Sequence, residues 1–590
     1  KQDTFAVTVN DGHGATTQIG VTVTIAPAST DTPTVVTAVG GATAAGQVVG
    51  VYVNQVGTRA VVVTVNSASN ATTYTVINTA TGAKVGNAVT LNGNDINGSV
   101  TADGGVMTSP VFNAAGTRAV VQTTRYNPAT SDAETRVAVI DTASGAQLGS
   151  TLIIAGSSGA MLSLNATGTR VVVVTVPSSS IEPGATTRVY LLDTGTGGQV
   201  VAPRTLDGAG VSRFSSDGSR LVVSALSYAS ETPTGYNDIA SRITVIDTTT
   251  GAQIGSTITR TGGALATPNA DGSRLILTNV TGDYTSFSST VSVLNTATGE
   301  HLGTDVTLSG VAIQAPALFT GNGARAVVTG VNLTVVQTKL AVVDVAVGGQ
   351  IGSTITIPGH LGDTAAVVGD GVNRLIVISR DGSGMSTVTV INTGAGAVVG
   401  TPQTFAAYST SGEGAGIQFD DDGTRALVAT RYYSGSSFTD NTRIMVLDTA
   451  TGGVLGSVVT VGRYGWAEFT ADGTRVVVVS PAADAGNMTI LDAATGAEVA
   501  DADLPGGAVA PAQLSFDGTL GVITTTSGDS TKVVVVDTAT GAQIGQTFTV
   551  TGLTNTAARV SRDGASVVLA TSTGNGGAGY TTKVSTLAIT

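Results

Sequence analysis

The 590-residue chain is 41% apolar and only 11% charged, with 78 glycines and no cysteine. Its formal charge of −13, from 40 acidic and 27 basic residues, opposes attraction to nucleic acid or to anionic membranes, which both need a basic footprint. No apolar run approaches the length of a membrane-spanning helix, and without cysteine there are no disulfides or thiolate metal sites.

Val and Thr favour strands because branching at Cβ suits a pleated surface, and glycine supplies the positive φ angles of tight turns. Many short strands and little helix are therefore predicted. Residues 1–25, "KQDTFAVTVNDGHGATTQIGVTVTI", alternate on both sides of an "NDGHG" turn, which is a hairpin pattern. A lone hairpin is too small to be stable by itself, so the stretch is expected to end a preceding domain, with "APASTDTP" at 26–33 as a linker. Lys1 opens in the middle of a strand-like stretch with no secretory signal, and the chain is expected to be a fragment of something longer. The hairpin resembles the last hairpin of the Ig-like, cadherin-like repeats (VCBS type) of large bacterial surface proteins. That resemblance implies adjoining Ig-like domains and a secreted or cell-surface bacterial setting.

From residue 34 to 590 a repeat takes over. A turn of the form x-D/N-G-T/S-R followed by an apolar run recurs, as in "SSDGSRLVV" at 215–223 and "TADGTRVVV" at 470–478. Its glycines are Gly57, Gly116, Gly168, Gly218, Gly272, Gly323, Gly371, Gly423, Gly473, Gly518 and Gly564, and the first and last lie 507 residues apart over ten intervals, a period near 51. A second element follows each turn, for example "AVIDTASGAQLG" from Ala138 and "VVVDTATGAQIG" from Val534. Each repeat parses into strands a to d: a ends at the x-D-G turn, b is the apolar run, c is the "VxVID" stretch and d begins at "GAQIG". Four antiparallel strands at this period describe a propeller blade, and the fold class predicted is an all-β β-propeller of eleven blades.

The two elements resemble the YVTN-type β-propeller repeat, with its "PDG-K/R-x-x-YV" turn and "V-x-VIDTATG" strand and turn, over nearly all of residues 45–590. The period here is longer, Val or Leu replaces the Tyr, and the last two blades lack the Arg ("FDGTLGV", "RDGASVV"). The resemblance specifies blade type and says little about function.

The last repeat stops after strand c, "TKVSTLAIT" at 582–590, while "TPTVVTAVGG" at 32–41 reads as a strand d without a blade. Pairing them would cover both edges, so the N-terminal strand is predicted to complete the last blade. One wide ring is preferred to two tandem propellers, because small apolar side chains suit flat blades with little wedge; "AAYSTSGEGAG" at 406–416 is the best place for a hidden junction.

Variation between repeats concentrates in the b–c and d–a loops, which share one face. Tyr126, Tyr228, Tyr236, Tyr284, Tyr432 and Tyr433 are placed in b–c loops, and Tyr464 and Trp466 in a d–a loop. Loop aromatics offer rigid apolar area with a polar handle, suited to a protein or glycan ligand; the alternative is that the loops pack on each other. The function expected is a non-enzymatic binding, adhesion or architectural module using this face. The alternative is a hydrolase or lyase using carboxylates in the channel, with Glu182, Glu231, Asp238, Asp283, Glu413 and Asp440 available nearby. His13, His301 and His360 stand in three unrelated settings, a poor basis for a metal or nucleophile–base site. No cofactor is expected. The acids of x-D-G, most of all Asp420, Asp421 and Asp422, suggest calcium only weakly, since calcium needs several ligands on alternating positions. A carboxylate capping its own turn explains them better. The strand-c aspartates (Asp141, Asp193, Asp247, Asp448, Asp537) are expected to bind turn amides or the repeated arginines.

Overall fold

The computed structural model describes residues 2–10, 16–24 and 36–589, except 94–98, 101–105, 108–109, 128–131, 156–159, 166, 176–182, 230–232, 284–285, 314–315, 321–322, 333, 368–372, 382, 384, 407–415, 421, 435–438, 463–464, 481–485, 509–511, 516, 554–557, 562–563 and 576–578. Gln2–Asn10 and Thr16–Thr24 pair as an antiparallel two-stranded sheet. The expected linker at 26–33 lies outside the described residues.

Eleven blade sheets follow, each built on one copy of the repeat, with a small two-stranded pair of Ser99–Val100 and Val106–Met107 between the first two. They are blades 1 to 11, spanning 47–92, 111–155, 160–207, 209–261, 263–309, 318–358, 360–406, 416–462, 466–503, 507–551, and 559–589 with 36–45. Strands a to d are neighbours in that order, and all pairs are antiparallel. In blade 10 strand a is broken into Gly507–Ala508 and Gln513–Leu514, both paired with strand b. Among the described residues the one helical piece is a single turn at Tyr236–Asp238.

Strands b and c carry unbroken apolar runs, such as Val61–Val62–Val63 and Val476–Val477–Val478–Val479, all almost wholly buried. Alternation is lost because both faces of a blade are covered by neighbours. One apolar cluster fills each space between blades. Val61 and Tyr74 of blade 1 meet Ala119 and Ile140 of blade 2, and the series continues to Val533 and Val535 of blade 10 against Leu569 and Leu587 of blade 11. The last cluster joins Val568, Ala570 and Val584 of blade 11 to Val48, Val51 and Val62 of blade 1. Blades 7 and 8, on either side of the suspected junction at 406–416, share Ile376, Val388, Ala426 and Met445 in one cluster. The chain forms one ring.

Closure uses the N-terminal strand, set a few residues later than the sequence placed it. Val36–Ala45 pairs with Gly579–Ile589, from Val36 opposite Ile589 to Ala45 opposite Thr581. Thr582 Oγ1 donates to the Gly46 carbonyl at 2.7 Å, and Val48 N donates to Ser572 Oγ at 2.7 Å. These bonds tie blade 11 to the start of blade 1.

Eleven blades turn by about 33° from one to the next, where seven would turn by about 51°, so their outer edges must come close. Glycine permits it. In blades 3 and 7 the c–d turn leans on strand d of the blade before: a Cβ on Gly149 would meet the Thr196 carbonyl oxygen at 2.6 Å, and one on Gly352 would meet that of Ala395 at 2.5 Å.

Candidate functional site

The ring has two unlike faces. On the first lie the a–b and c–d turns, and blade 2 shows their chemistry. Asn113 Oδ1 accepts the Arg118 amide at 2.9 Å across the turn at Gly116. Asp141 Oδ1 accepts the amides of Ala143 and Ser144 at 3.0 and 2.8 Å. Thr142 Oγ1 donates to the Gly116 carbonyl at 2.7 Å, which locks one turn to the other. The same threonine bond recurs from Thr79, Thr194, Thr248, Thr449 and Thr538. Arg118 reaches the Asp141 carboxylate at 2.6 Å and the Thr194 carbonyl of blade 3 at 3.1 Å. Arg170 with Asp193, and Arg475 with Asp492 at 2.7 Å, repeat the ion pair. The repeated acids thus do both things expected of them, binding turn amides and pairing with arginine.

The suggested calcium ligands have turn roles too. Asp420 Oδ1 accepts the Arg425 amide at 2.9 Å, and Asp422 Oδ1 accepts the Thr424 amide at 2.9 Å and its hydroxyl at 2.6 Å. The Thr424 hydroxyl and amide hold the Asp422 carboxyl below its ordinary range, whereas burial, with the nearby Asp422 charge, pushes Asp420 up. Asp421 lies outside the described residues. Among the described residues no three His, Asp or Glu side chains gather closely enough to hold a metal ion.

The second face carries the b–c and d–a loops, and here the strands run further than the sequence suggested. Tyr126 lies within strand b of blade 2, Tyr228 ends strand b of blade 4, and Tyr432 and Tyr433 lie in strand b of blade 8. Polar stretches such as "RYNPATSDAE" read as loops, yet backbone pairing continues to Asn127 opposite Asp132. Tyr284 and Tyr464 lie outside the described residues. Trp466 opens strand a of blade 9 and packs against the cluster between blades 9 and 10. The ring of Tyr236 stands edge-on to Phe287, with centroids 6.0 Å apart. Some of the aromatics therefore do pack between blades and loops.

Over blades 4, 5 and 6 this face holds an open groove of about 590 Å³, lined by Asn237, Thr281, Ser286, Phe287, Ser309, Asn332 and Thr334 among others. One wall is clamped in place: Asn237 Oδ1 accepts the Gly282 amide at 2.9 Å, and Gly235 bridges to Asp283. Asp238 accepts the Thr234 amide at 2.5 Å and Asp283 that of Ser286 at 2.6 Å. These two carboxylates shape their loops. Of the other suggested acids, Glu182, Glu231 and Glu413 lie outside the described residues, and Asp440 lies in strand c of blade 8. His301 Nε2 meets Asp305 Oδ1 at 2.6 Å on strand d of blade 5, His360 opens strand a of blade 7, and His13 lies outside the described residues. Nothing brings the first two together.

Sequence reasoning missed a second cavity. At the turn-face end of the channel, strands a of blades 10, 11, 1 and 2 surround an open cleft of about 510 Å³. Tyr52, Gln55, Phe112, Gln513, Arg559 and Ser561 contribute to its walls. Arg559 Nε donates to the Val51 carbonyl at 3.2 Å and its Nη1 to Gln513 Oε1. Glu468, one blade further round, is pushed above its ordinary range by burial, against the pull of the Arg559 charge. The sequence carried only an indirect trace of it, the loss of the rim arginine in blades 10 and 11.

Neither a protein-family model nor any curated protein matches the chain. Solved structures do. The crystal structure of the eukaryotic initiation factor is 13% identical with a TM-score of 0.38, covering 70% of this chain and 95% of that one. The C-terminal WD40 domain of Sif2 is 14% identical, with a TM-score of 0.30 and coverage of 63% and 93%. The β-propeller domain of the Trilobed protease from Pyrococcus furiosus is 11% identical, with a TM-score of 0.29 and coverage of 62% and 97%. At these scores no function passes from them to this chain, and the propeller rests on its own strand pairing.

Proposed function

We propose that the ring is a non-enzymatic binding module of YVTN type on a secreted or cell-surface bacterial protein, following Ig-like domains, and that it takes a glycan on its b–c/d–a face. The groove over blades 4 to 6 carries this reading. Its amides and hydroxyls around one aromatic ring match a ligand that is rich in hydroxyls and has apolar ring faces. A glycan-array screen, with immobilised matrix proteins in parallel, tests it. Tyr236→Ala combined with Asn237→Ala, and separately Tyr432→Ala combined with Tyr433→Ala, should each weaken glycan capture at least tenfold in protein that still melts cooperatively. Unchanged capture in both, or capture of matrix proteins alone, sinks the proposal.

A hydrolase or lyase is the second reading, and Glu468 is the observation that favours it. A carboxyl whose pKa is raised by burial suits a general acid better than a solvated one does. Turnover of chromogenic glycosides that disappears in Glu468→Gln would establish it; activity retained in Glu468→Gln, or none in the wild type, would not.

A further inference from the structure

We propose that the cleft at the turn-face mouth of the channel is a separate binding site for a carboxylated sugar of the uronate type, with the Arg559 guanidinium as its anchor. Three observations on the inner strands lead there.

The first is charge. Of the repeated turn-face arginines, Arg118, Arg170 and Arg475 answer a strand-c aspartate within their own blade, while Arg59, Arg325 and Arg425 donate across the rim to oxygens of a neighbouring blade. Among the described residues no carboxylate lies at ion-pair distance from Arg559. The nearest carboxyl whose charge it feels, Glu468 of blade 9, stays beyond bonding distance, and a half-buried guanidinium bonded only to neutral acceptors is costly in a protein. An anion from solution would complete the site.

The second is orientation. Arg559 is held from two sides, by the Val51 carbonyl of blade 1 and Gln513 of blade 10. Those bonds use two of five N–H donors, and the planar fork that remains suits two-pronged recognition of a carboxylate. Tyr52 and Phe112 add rings, and Gln55, Gln513 and Ser561 add amides and a hydroxyl. Rings, amides and one fixed cation fit a pyranose bearing a single carboxylate, and the volume of about 510 Å³ falls within the range of small-ligand pockets.

The third is departure from the repeat. Arg559 stands two residues before the turn acceptor Ser561; at that position Tyr52, Val111, Ser163, Thr267, Leu318, Gln418, Glu468 and Gln513 stand in blades 1, 2, 3, 5, 6, 8, 9 and 10, and Arg213 of blade 4 is the other arginine among them. The rim position that holds arginine in blade after blade is Leu520 in blade 10 and Ser566 in blade 11. What every blade needs is explained by the blade; Arg559 is not.

The site lies on the face opposite the groove proposed for glycan capture, so each proposal can fail without the other. Titration calorimetry of the full chain with glucuronate, glucose and inorganic phosphate tests it. Glucuronate should bind saturably and at least tenfold tighter than glucose or phosphate. Arg559→Gln should abolish that preference, and Arg559→Lys, which keeps the charge but loses the fork, should weaken it about tenfold. Because Arg559 also bridges blades 10 and 1, Gln55→Glu serves as the variant that leaves those bonds intact; its added charge should weaken glucuronate at least fivefold more than it weakens glucose. Equal binding of glucuronate and glucose, phosphate binding as tight as glucuronate, or full affinity in Gln55→Glu overturns the proposal.

Discussion

Thr538 is 3% exposed, and its hydroxyl donates to the Gly518 carbonyl at 2.6 Å. Thr538→Val leaves that carbonyl without its partner and should cost about 1–2 kcal/mol, read as a lower urea midpoint at unchanged slope; Thr538→Ser should recover most of it. The neighbouring aspartates set the pH response. For Asp141, Asp193, Asp247 and Asp517, burial alone would raise the carboxyl, but turn amides, Ser and Thr hydroxyls and, at Asp141, Asp193 and Asp247, an arginine charge outweigh it and hold the group below its ordinary range. The unfolded chain then binds protons more readily than the folded one, so this stability is present above about pH 4 and lost as pH falls through the folded values. The melting temperature should drop on acidification below pH 4. Glu468 has the opposite sign, because burial raises it: its effect on stability turns unfavourable as pH rises above the ordinary glutamate value. Glu468→Gln should therefore raise the melting temperature at pH 8 and hardly change it at pH 4.

At the scale of strands and turns, glycine separates two costs. Gly456, on strand d of blade 8, has φ 67°, and a Cβ there would run into the Thr495 carbonyl oxygen of blade 9. Gly528, in the b–c turn of blade 10, has φ 57° with nothing within 4 Å of a Cβ. Gly528→Ala should cost about 1 kcal/mol, the conformational penalty alone. Gly456→Ala should cost at least about 3 kcal/mol, since it also forces two blades apart; equal losses in calorimetric melts would show that the rim does not need close backbone contact. The repeat motifs that specify strands a to d were legible because turn residues and apolar runs act locally. Strand ends were not: the pairing around Tyr126, Tyr228, Tyr432 and Tyr433 runs through polar stretches, where backbone bonds continue without apolar side chains to announce them. The channel cleft was hidden for a different reason, as its walls come from residues near 52, 112, 513 and 559.

For the whole ring, closure is the vulnerable point. Deleting residues 36–45 removes strand d of blade 11 and exposes an unpaired edge beside the cluster that joins blades 11 and 1. The truncated chain should unfold in a broad, less cooperative transition and self-associate on size-exclusion chromatography. Adding the same strand after residue 590 through a short flexible linker should restore a sharp melt, and failure to do so would place the stabilising contact elsewhere. By itself the sequence determined the blades, their number and the strand that completes the last one, because each follows from signals within one repeat or from an incomplete repeat at either end. Only the tertiary structure decided that the eleven form a single ring, through apolar clusters that continue across blades 7 and 8 and join blade 11 to blade 1. It also decided that Arg559 faces a cleft shared by four blades. Both depend on residues far apart in the chain, which no local pattern can bring together.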